Sequence, residues 1–424
     1  MMTPRERILA TLRFEPTDKI AVDFGGHRSS GIAAIAYAKL KKHLGISSGD
    51  IYVYDMVQQL AIVEPEVLDR FEIDTVEMGR GFTLAPSEWR DWVLPDGTPC
   101  KIPAFLSVRQ KQDDWYLLAP DGTELGVQRK GCLYFEQCHF PFGGKSIKDV
   151  DLVKELTWSV GHNVWGGTAA PACEFPLDDV GLKKLADGAA RLRKSTDRAV
   201  IALFGGNMFE LPQWIFNMET YLMQMGIDPE GTLALSEKLC DLHLQRLDLW
   251  LPAIKDDIDV VLFGDDLGSQ RGPMMSPAMY RKYFKPFHSR LWRRAKEIAP
   301  HLKVQLHCCG GVEPILNDMI EAGLDAINPV QITCTGMSPS HLKSKFGGRI
   351  TFWGGGCDTR SILPSGTPDD VRKHVLEQLD TFVPRNPDGT FPGGFVFQQV
   401  HNIMANVPPQ NIVAMFDAVR SRNT

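Results

Sequence analysis

The sequence lacks the long apolar runs and the basic clusters that mark membrane and nucleic-acid-binding proteins. No run of about 18 apolar residues occurs, which excludes an ordinary membrane span. The net charge is −6 and lysine and arginine do not cluster, so the long-range attraction that nucleic-acid binding needs is missing. The N-terminus carries Arg5, Glu6 and Arg7 among apolar residues and predicts an amphipathic helix rather than an export signal. We therefore expect a soluble protein with no membrane or nucleic-acid partner.

Cysteine is present, but not in a pattern typical of disulfide-stapled proteins. The nine cysteines are an odd number, and a chain of 424 residues with 43% hydrophobic content can bury a core without staples. A reducing, cytoplasmic location fits this usage best. Each cysteine is then buried filler, a metal ligand or a nucleophile.

Short apolar runs alternate with stretches of helical periodicity along most of the chain. Strands are predicted at 20–25, 74–79, 199–205, 260–264, 303–309, 325–330, 350–355 and 394–400. Helices are predicted at 33–44, 64–70, 218–225, 229–255, 277–298, 312–322, 339–346 and 368–382. Parallel strands need helical crossovers, and eight such units suit a closed barrel better than an open sheet. We predict an α/β fold in which residues 1–424 form one (β/α)₈ TIM-barrel domain.

One stretch, approximately 85–176, breaks the alternation. It has no long helical pattern, and the turn signals at 95–97 and 120–122 separate short alternating segments. We predict a β-rich insertion over the C-terminal mouth of the barrel. A separate small domain is the alternative, but the stretch has no strongly apolar run of its own.

The strongest chemical signal is His307-Cys308-Cys309 at the end of the fifth predicted strand. Side chains alternate along a strand, so His307 and Cys309 face the same way at the end of the barrel where barrel enzymes build their sites. Cys357, at the end of the seventh strand, would be close enough to share an ion with them. A histidine with two thiolates suits Zn²⁺ and leaves a fourth position for a reactant. The alternative is that the cysteines are small, buried hydrophobic residues and that the histidine is a hydrogen-bonded core residue.

Other candidate residues also follow predicted strands. Of Asp265 and Asp266, one carboxylate, with Asp266 preferred, is a candidate partner for His307 or an acid/base; the alternative is a helix cap or an ordered loop. Glu210 and His401 are candidate catalytic residues that would touch the ligand, or else play structural roles.

Two groups of residues near the predicted mouth also have alternative interpretations. His162 and Trp165 line the mouth or pack the insertion. The glycines 354–356 lack the lysine and serine or threonine of a phosphate loop, and they indicate a tight turn beside Cys357.

Several segments resemble the uroporphyrinogen decarboxylase superfamily, and the similarity runs from end to end of the chain. They are Thr3-Pro4-Arg5-Glu6-Arg7, Phe14-Glu15-Pro16, the 307–311 segment, Gly323-Leu324-Asp325-Ala326-Ile327-Asn328-Pro329 and Val407-Pro408-Pro409-Gln410-Asn411-Ile412. The family's fold is a (β/α)₈ barrel. The histidine and two cysteines look like the zinc set of its corrinoid-linked methyltransferases, which include coenzyme M methyltransferases and aryl-ether demethylating enzymes. The spacing from Cys309 to Cys357 is shorter than in the coenzyme M enzymes.

The resemblance also separates two activities. Decarboxylases of the family carry Arg-Gln-Ala-Gly-Arg after the first strand to grip substrate carboxylates, whereas this chain has Gly25-Gly26-His27-Arg28-Ser29-Ser30-Gly31. The resemblance therefore implies a zinc-dependent methyltransferase that moves a methyl group between a small molecule and a corrinoid (cobalamin). This chain lacks a corrinoid-binding motif, so the corrinoid would be carried by a separate protein.

Two other functions stay open. One is a cofactor-free decarboxylase or other lyase, whose activity would survive metal removal. The other is a non-catalytic metal-binding barrel with four protein ligands, the fourth being Cys308 or Cys334. The methyl donor or acceptor, the direction of transfer, the corrinoid partner and the oligomeric state are not readable from the sequence.

Overall fold

Eight parallel strands form a nearly closed barrel in the computed structural model, which describes residues 1–167 and 175–423. In chain order they are β1 (Ala21–Val22), β2 (Thr75–Glu77), β3 (Ala199–Gly205), β4 (Val260–Gly264), β5 (Lys303–His307), β6 (Ala326–Asn328), β7 (Thr351–Trp353) and β8 (Phe395–Phe397). Neighbours along the chain pair in parallel from β2 to β8, and β8 pairs with β1. Between β1 and β2 the Asp74 N–H donates to the Val22 carbonyl at 2.8 Å. The predicted (β/α)₈ fold is confirmed.

All eight predicted strands are present, and six of them are shorter than predicted. The apolar runs continue past the last ladder hydrogen bonds into the loops at the mouth. Thus β5 ends at His307, two residues before Cys309. Apolar residues continue for as long as their side chains are buried, whereas a strand ends where its backbone no longer hydrogen-bonds to an adjacent strand.

Helices surround the barrel. They are Pro4–Leu12, Ala34–His43, Pro65–Arg70, Leu156–Gly161, Val164–Gly167, Asp179–Ser195, Glu210–Phe216, Met218–Ile227, Pro229–Ile254, Pro277–Tyr283, Lys285–Ile298, Glu313–Ala322, Pro339–Phe346, Ile362–Ser365, Pro368–Phe382 and Pro409–Asn423. The helix predicted over 277–298 is broken at Phe284, because Pro286 has no N–H for the carbonyl four residues earlier. The helices Asp179–Ser195 and Pro409–Asn423 were not predicted.

The N-terminal helix closes the bottom of the barrel. Ile8 and Leu12 lie in one buried cluster with inward-facing strand residues such as Ile201, Leu262 and Trp353. The larger apolar cluster lies between the strands and the outer helices. Since the bottom is filled, the opposite, C-terminal end is the one available for a site.

The described part of the predicted insertion is built of antiparallel strands, and residues 168–174 of that range lie outside the described residues. Strands Trp89–Val93 and Pro99–Pro103 pair across the turn at 95–97, and a four-stranded sheet contains Ser107–Lys111, Asp114–Leu118, Glu124–Gln128 and Glu136–Gln137. Short antiparallel pairs also join Val53–Asp55 to Leu60–Ala61 and Gly268–Ser269 to Gly272–Pro273.

The sequence predicts neither a membrane span nor disulfide bonds. No helix among the described residues is long and apolar enough to cross a membrane. Eight cysteines lie within the described ranges, and all eight are free of disulfides. Cys173 lies outside the described residues.

Candidate metal centre

Parallel register brings the ends of three neighbouring strands to one level at the mouth. Gly264 of β4 pairs with His307 of β5, and His307 pairs with Asn328 of β6. The residues just past these ends are therefore neighbours. Asp266 follows β4 and Cys309 follows β5, and the Cys309 N–H donates to the Asp266 carboxylate at 2.6 Å.

His307 and Cys309 face each other as the strand alternation predicts. The Cys309 Sγ lies 3.5 Å from the His307 Nε2. Cys308 points the other way, into the apolar cluster outside the barrel, where its sulfur accepts the Leu267 N–H at 3.3 Å. An imidazole nitrogen and a thiol therefore share one side of the chain.

Asn328 fixes which nitrogen of His307 carries the proton. Its Nδ2 donates to the Trp353 carbonyl at 2.9 Å and to the Gln398 Oε1 at 2.8 Å, so its Oδ1 is the atom facing His307. That oxygen lies 2.8 Å from the His307 Nδ1 and can only accept. His307 is therefore protonated at Nδ1, and its Nε2 lone pair points toward Cys309, as a metal ligand requires.

His401 completes a group of three possible metal ligands. Its ring lies 5.5 Å from the His307 ring, and the ligand atoms of His307, Cys309 and His401 lie within 4.8 Å of one another. Burial, with further contributions from His307 and His27, lowers the pKa of His401 to about 3, so its ring is neutral. In this arrangement its Nδ1 accepts the Asn402 N–H at 2.8 Å. His401 is therefore less prepared for a cation than His307, because Nε2 carries the proton while that hydrogen bond exists.

Cys309 is a thiol in the absence of a cation. Burial, and then the nearby Asp266 carboxylate, raises the pKa of its sulfhydryl well above the ordinary value. A divalent cation reverses this preference, since a coordinating thiol loses its proton. Two imidazoles and one thiol within this span fit the usual three-ligand set of a catalytic zinc ion.

Cys357, predicted as the third ligand, lies outside this group. It is fully buried in the apolar cluster between the barrel and its helices, the same cluster that contains Cys308. Its backbone bridges Gln399 of the last strand region, and its carbonyl accepts the Val400 N–H. Burial raises the pKa of its thiol. The ligand role of Cys357 stays a prediction, and His401 stands in its place in the assembled group.

The glycines beside Cys357 form the predicted tight turn. Gly354 and Gly355 have φ values of +114° and +78°. A Cβ on Gly354 would lie 2.2 Å from the Pro329 carbonyl oxygen. Only glycine fits this close approach without strain.

The two carboxylates after β4, Asp265 and Asp266, have different roles. The Asp266 Oδ1 lies 3.6 Å from the His307 Nε2 as well as against Cys309. Asp265 is fully buried, accepts the Glu210 N–H at 2.9 Å and faces the His288 Nε2 at 3.0 Å. Asp265 therefore caps the helix Glu210–Phe216, while Asp266 belongs to the site.

Glu210 faces the same cavity, and its surroundings favour its protonated form. Burial, followed by the charges of Asp266 and Asp265, raises its pKa well above the ordinary value. The Asn207 side chain donates to its Oε2 at 2.8 Å. A neutral carboxylic acid can donate a hydrogen bond to a bound ligand.

A cavity of about 960 Å³ opens above these groups. Asp266, His307, Glu210 and His401 line one side of it. Aromatic side chains also line it, among them Phe204, Trp214, Trp250, Phe105 and Trp165, and so do polar side chains such as those of Arg28, Gln245 and Arg246. Phe105 and Trp165 come from the predicted insertion, which therefore forms part of the wall over the mouth.

Most aromatic residues of the insertion lie away from the cavity. Trp92 packs on Trp115 with ring centroids 4.6 Å apart, and Trp158 stacks on His162 at 4.1 Å. The His162 Nε2 lies 3.1 Å from Asp121. Of the predicted pair, Trp165 lines the mouth and His162 packs the insertion. Trp214 and Phe204 were missed because an aromatic side chain next to a strand end resembles core in the sequence.

Comparison with known proteins agrees with the barrel fold. The model of the uroporphyrinogen decarboxylase (URO-D) family matches residues 172–422, more than half of the chain. The chain belongs to the uroporphyrinogen decarboxylase family.

Relatives of known name cover only part of the chain. A uroporphyrinogen decarboxylase of Xanthomonas euvesicatoria pv. vesicatoria (strain 85-10) is 27% identical over 151 residues, which is 35% of this chain and 40% of that protein. A second uroporphyrinogen decarboxylase, from Xanthomonas axonopodis pv. citri (strain 306), is 26% identical over the same shares. The match thus spans less than half the length of these relatives.

A solved structure matches over nearly the whole chain. It is a methyltransferase from Methanosarcina mazei, with a TM-score of 0.57, 15% sequence identity and 99% coverage of both chains. At this identity the likeness shows a shared fold.

Proposed function

We propose that this member of the family is a zinc-dependent methyltransferase that moves a methyl group between a small molecule and the corrinoid of a separate protein. The observation that carries the proposal is the group of His307, Cys309 and His401, whose two histidines line a large cavity. The structural likeness to a methyltransferase of the same fold agrees with it. The 960 Å³ cavity leaves room for a substrate beside the ligands.

The donor set determines the charge at the site. Bound zinc would supply a Lewis acid that polarises the heteroatom of a methyl donor or stabilises an acceptor thiol as its thiolate. With Cys309 as the single thiolate, the site keeps a net positive charge, whereas the two-thiolate set with Cys357 would be neutral. The set with His401 is therefore the stronger Lewis acid.

The chain's own residues orient the ligands and the substrate. Asp266 holds the Cys309 backbone N–H, and Asn328 holds His307 through Nδ1. The protonated Glu210 can donate a hydrogen bond to a substrate heteroatom within the cavity. The aromatic wall with Trp165 and Trp214 favours an apolar or aryl substrate, because such rings bind apolar surface and exclude water.

A lyase is the second candidate, because the named relatives are uroporphyrinogen decarboxylases. Against it, the loop after β1 does not carry the carboxylate grip expected of that activity. The two candidates differ in metal dependence. Decarboxylation without a cofactor survives removal of zinc, and methyl transfer does not.

A four-ligand, non-catalytic metal site receives no support from the described residues. Cys308 faces the outer apolar cluster, and the Cys334 sulfur contacts the side chains of Gln270 and Gln331 at 3.6 and 3.5 Å. Neither belongs to the group of three.

The test uses adjacent cysteines as a matched pair. We expect about one zinc per chain in the wild type, loss of zinc in Cys309→Ala, and retention of zinc in Cys308→Ala. Methyl transfer is then followed by the spectral change between cob(I)alamin and methylcobalamin with candidate methyl donors. Absence of zinc from the wild type, or an equal zinc content in both variants, would refute the proposal.

A further inference from the structure

A chain of buried polar side chains runs from the loop after β1 to His307. Ser29 lies in the short 3₁₀ turn Arg28–Ser30 and is 5% exposed. Its hydroxyl donates to the Asn328 Oδ1 at 3.0 Å, the same oxygen that accepts from His307. The loop in which decarboxylases would grip substrate therefore reaches His307 through Asn328.

The orientation of the Asn328 amide sets the direction of the hydrogen bonds in this chain. The single hydroxyl proton of Ser29 goes to Asn328, so Ser29 accepts from the His27 Nδ1, which lies 2.9 Å away. The His27 Nε2 faces the buried Asp23 carboxylate at 3.2 Å. Asp23 in turn accepts the Trp353 indole N–H at 2.8 Å.

We propose that Ser29 is a positioning residue that acts through Asn328 to hold His307 in the tautomer whose Nε2 is free for the metal. Two donors, one from Ser29 and one from His307, converge on the Asn328 Oδ1 and fix its direction. Without Ser29, the His27 N–H loses its acceptor and Asn328 loses one of its donors. The inference rests on the metal-binding role proposed above for His307.

Ser30 provides a matched control in the same loop. It is fully buried, but its hydroxyl faces the Asp23 Oδ1 at 3.2 Å and the His27 carbonyl at 3.0 Å rather than Asn328. Ser29→Ala and Ser30→Ala therefore remove the same atom from neighbouring buried sites. Loss of structure affects both variants, whereas loss of the tautomer affects only the first.

The experiment measures Zn²⁺ and Co²⁺ affinity by chelator competition in wild type, Ser29→Ala, Ser29→Thr and Ser30→Ala. We expect Ser29→Ala to weaken binding about tenfold, the low end for residues that orient a metal ligand, because Asn328 keeps its other hydrogen bonds. Ser29→Thr restores the hydroxyl and the affinity, and Ser30→Ala binds like the wild type. Equal affinity in all four proteins would overturn the proposal.

A second measurement requires neither a metal nor a stable variant. The ¹⁵N shifts of the His307 ring in the metal-free wild type should show a protonated Nδ1 and an unprotonated Nε2. The reverse assignment would refute the proposal even if Ser29→Ala fails to fold. A wild type that binds no metal would refute the proposed function instead, and the ring shifts would still test whether His307 is held with its proton on Nδ1.

Discussion

The identity of the third ligand can be decided by the pH dependence of zinc binding. Binding removes the proton of every coordinated thiol, while a neutral imidazole releases none. Burial raises the thiol pKa of both Cys309 and Cys357, so both are protonated near pH 8. Above about pH 7.5, ordinary imidazoles are also neutral. The two ligand sets therefore differ by one released proton.

The expected slopes differ by a factor that is easy to measure. With His307, Cys309 and His401 as ligands, affinity rises about tenfold from pH 7.5 to 8.5, or about 1.4 kcal/mol. With Cys357 in place of His401, two protons leave and the rise is about one hundredfold. Zinc affinity is measured at both pH values by competition with a chelator of known pH dependence.

Two variants make the same distinction at a single pH. Sharing the roughly 10–16 kcal/mol of a four-ligand zinc site evenly gives about 3 kcal/mol per ligand, so His401→Ala should weaken binding about a hundredfold. Cys357→Ala leaves zinc binding unchanged and costs about 1 kcal/mol of folding stability, as expected for a small deletion in an apolar core. Loss of zinc in Cys357→Ala together with a hundredfold pH effect would refute the assignment of His401.

Three further predictions concern the carboxylates. Asp265→Asn lowers the unfolding free energy by about 1–2 kcal/mol in urea without changing zinc affinity, because Asp265 caps a helix. Asp266→Asn weakens zinc binding without lowering the unfolding free energy. Equal effects of the two variants on zinc affinity would contradict this division. The folded-state pKa of Glu210 is raised, so its stabilising contribution is complete below its unfolded pKa and is lost as pH rises toward the folded value. Metal-free Glu210→Gln therefore gains relative to wild type as pH rises from the unfolded pKa toward the folded one, by up to about 1.4 kcal/mol per pH unit, and parallel urea-stability profiles would refute this. Asp74→Ala removes one of the two carboxylates that pair with the buried Arg7 guanidinium, Asp18 being the other, and leaves the Val22 N–H without its acceptor; it costs about 2–3 kcal/mol in urea unfolding, and a cost below 1 kcal/mol would contradict that role.

The barrel was predictable because its signals are local and repeated. Eight apolar runs separated by helical periodicity admit few topologies once parallel crossovers are required. The opposite facing of Cys308 and Cys309 followed from strand alternation, and β5 continues regularly to His307, so this prediction agrees with the structure. The helix break at Phe284 depends on Pro286, and that signal was present in the sequence although the prediction passed over it.

The third member of the metal group was not predictable in the same way. Cys357 is separated from β7 by three glycines, two of them with positive φ, and alternation cannot be counted through such a turn. His401 follows β8 by four residues, and the sequence around it does not indicate whether its ring points into the barrel mouth. Chemical preference favoured the cysteine, whereas the fold brought the histidine to His307.

The sequence by itself determined the order of strands and helices, the end of the barrel that carries the site, and the pairing of His307 with Cys309, because each depends on periodicity within one segment. The tertiary structure alone decided the rest. It placed His401 beside His307, gave Asp265 and Asp266 separate roles, and connected Ser29 to Asn328. These contacts join residues from different strand ends, and their distances depend on barrel closure and loop conformation rather than on any local pattern.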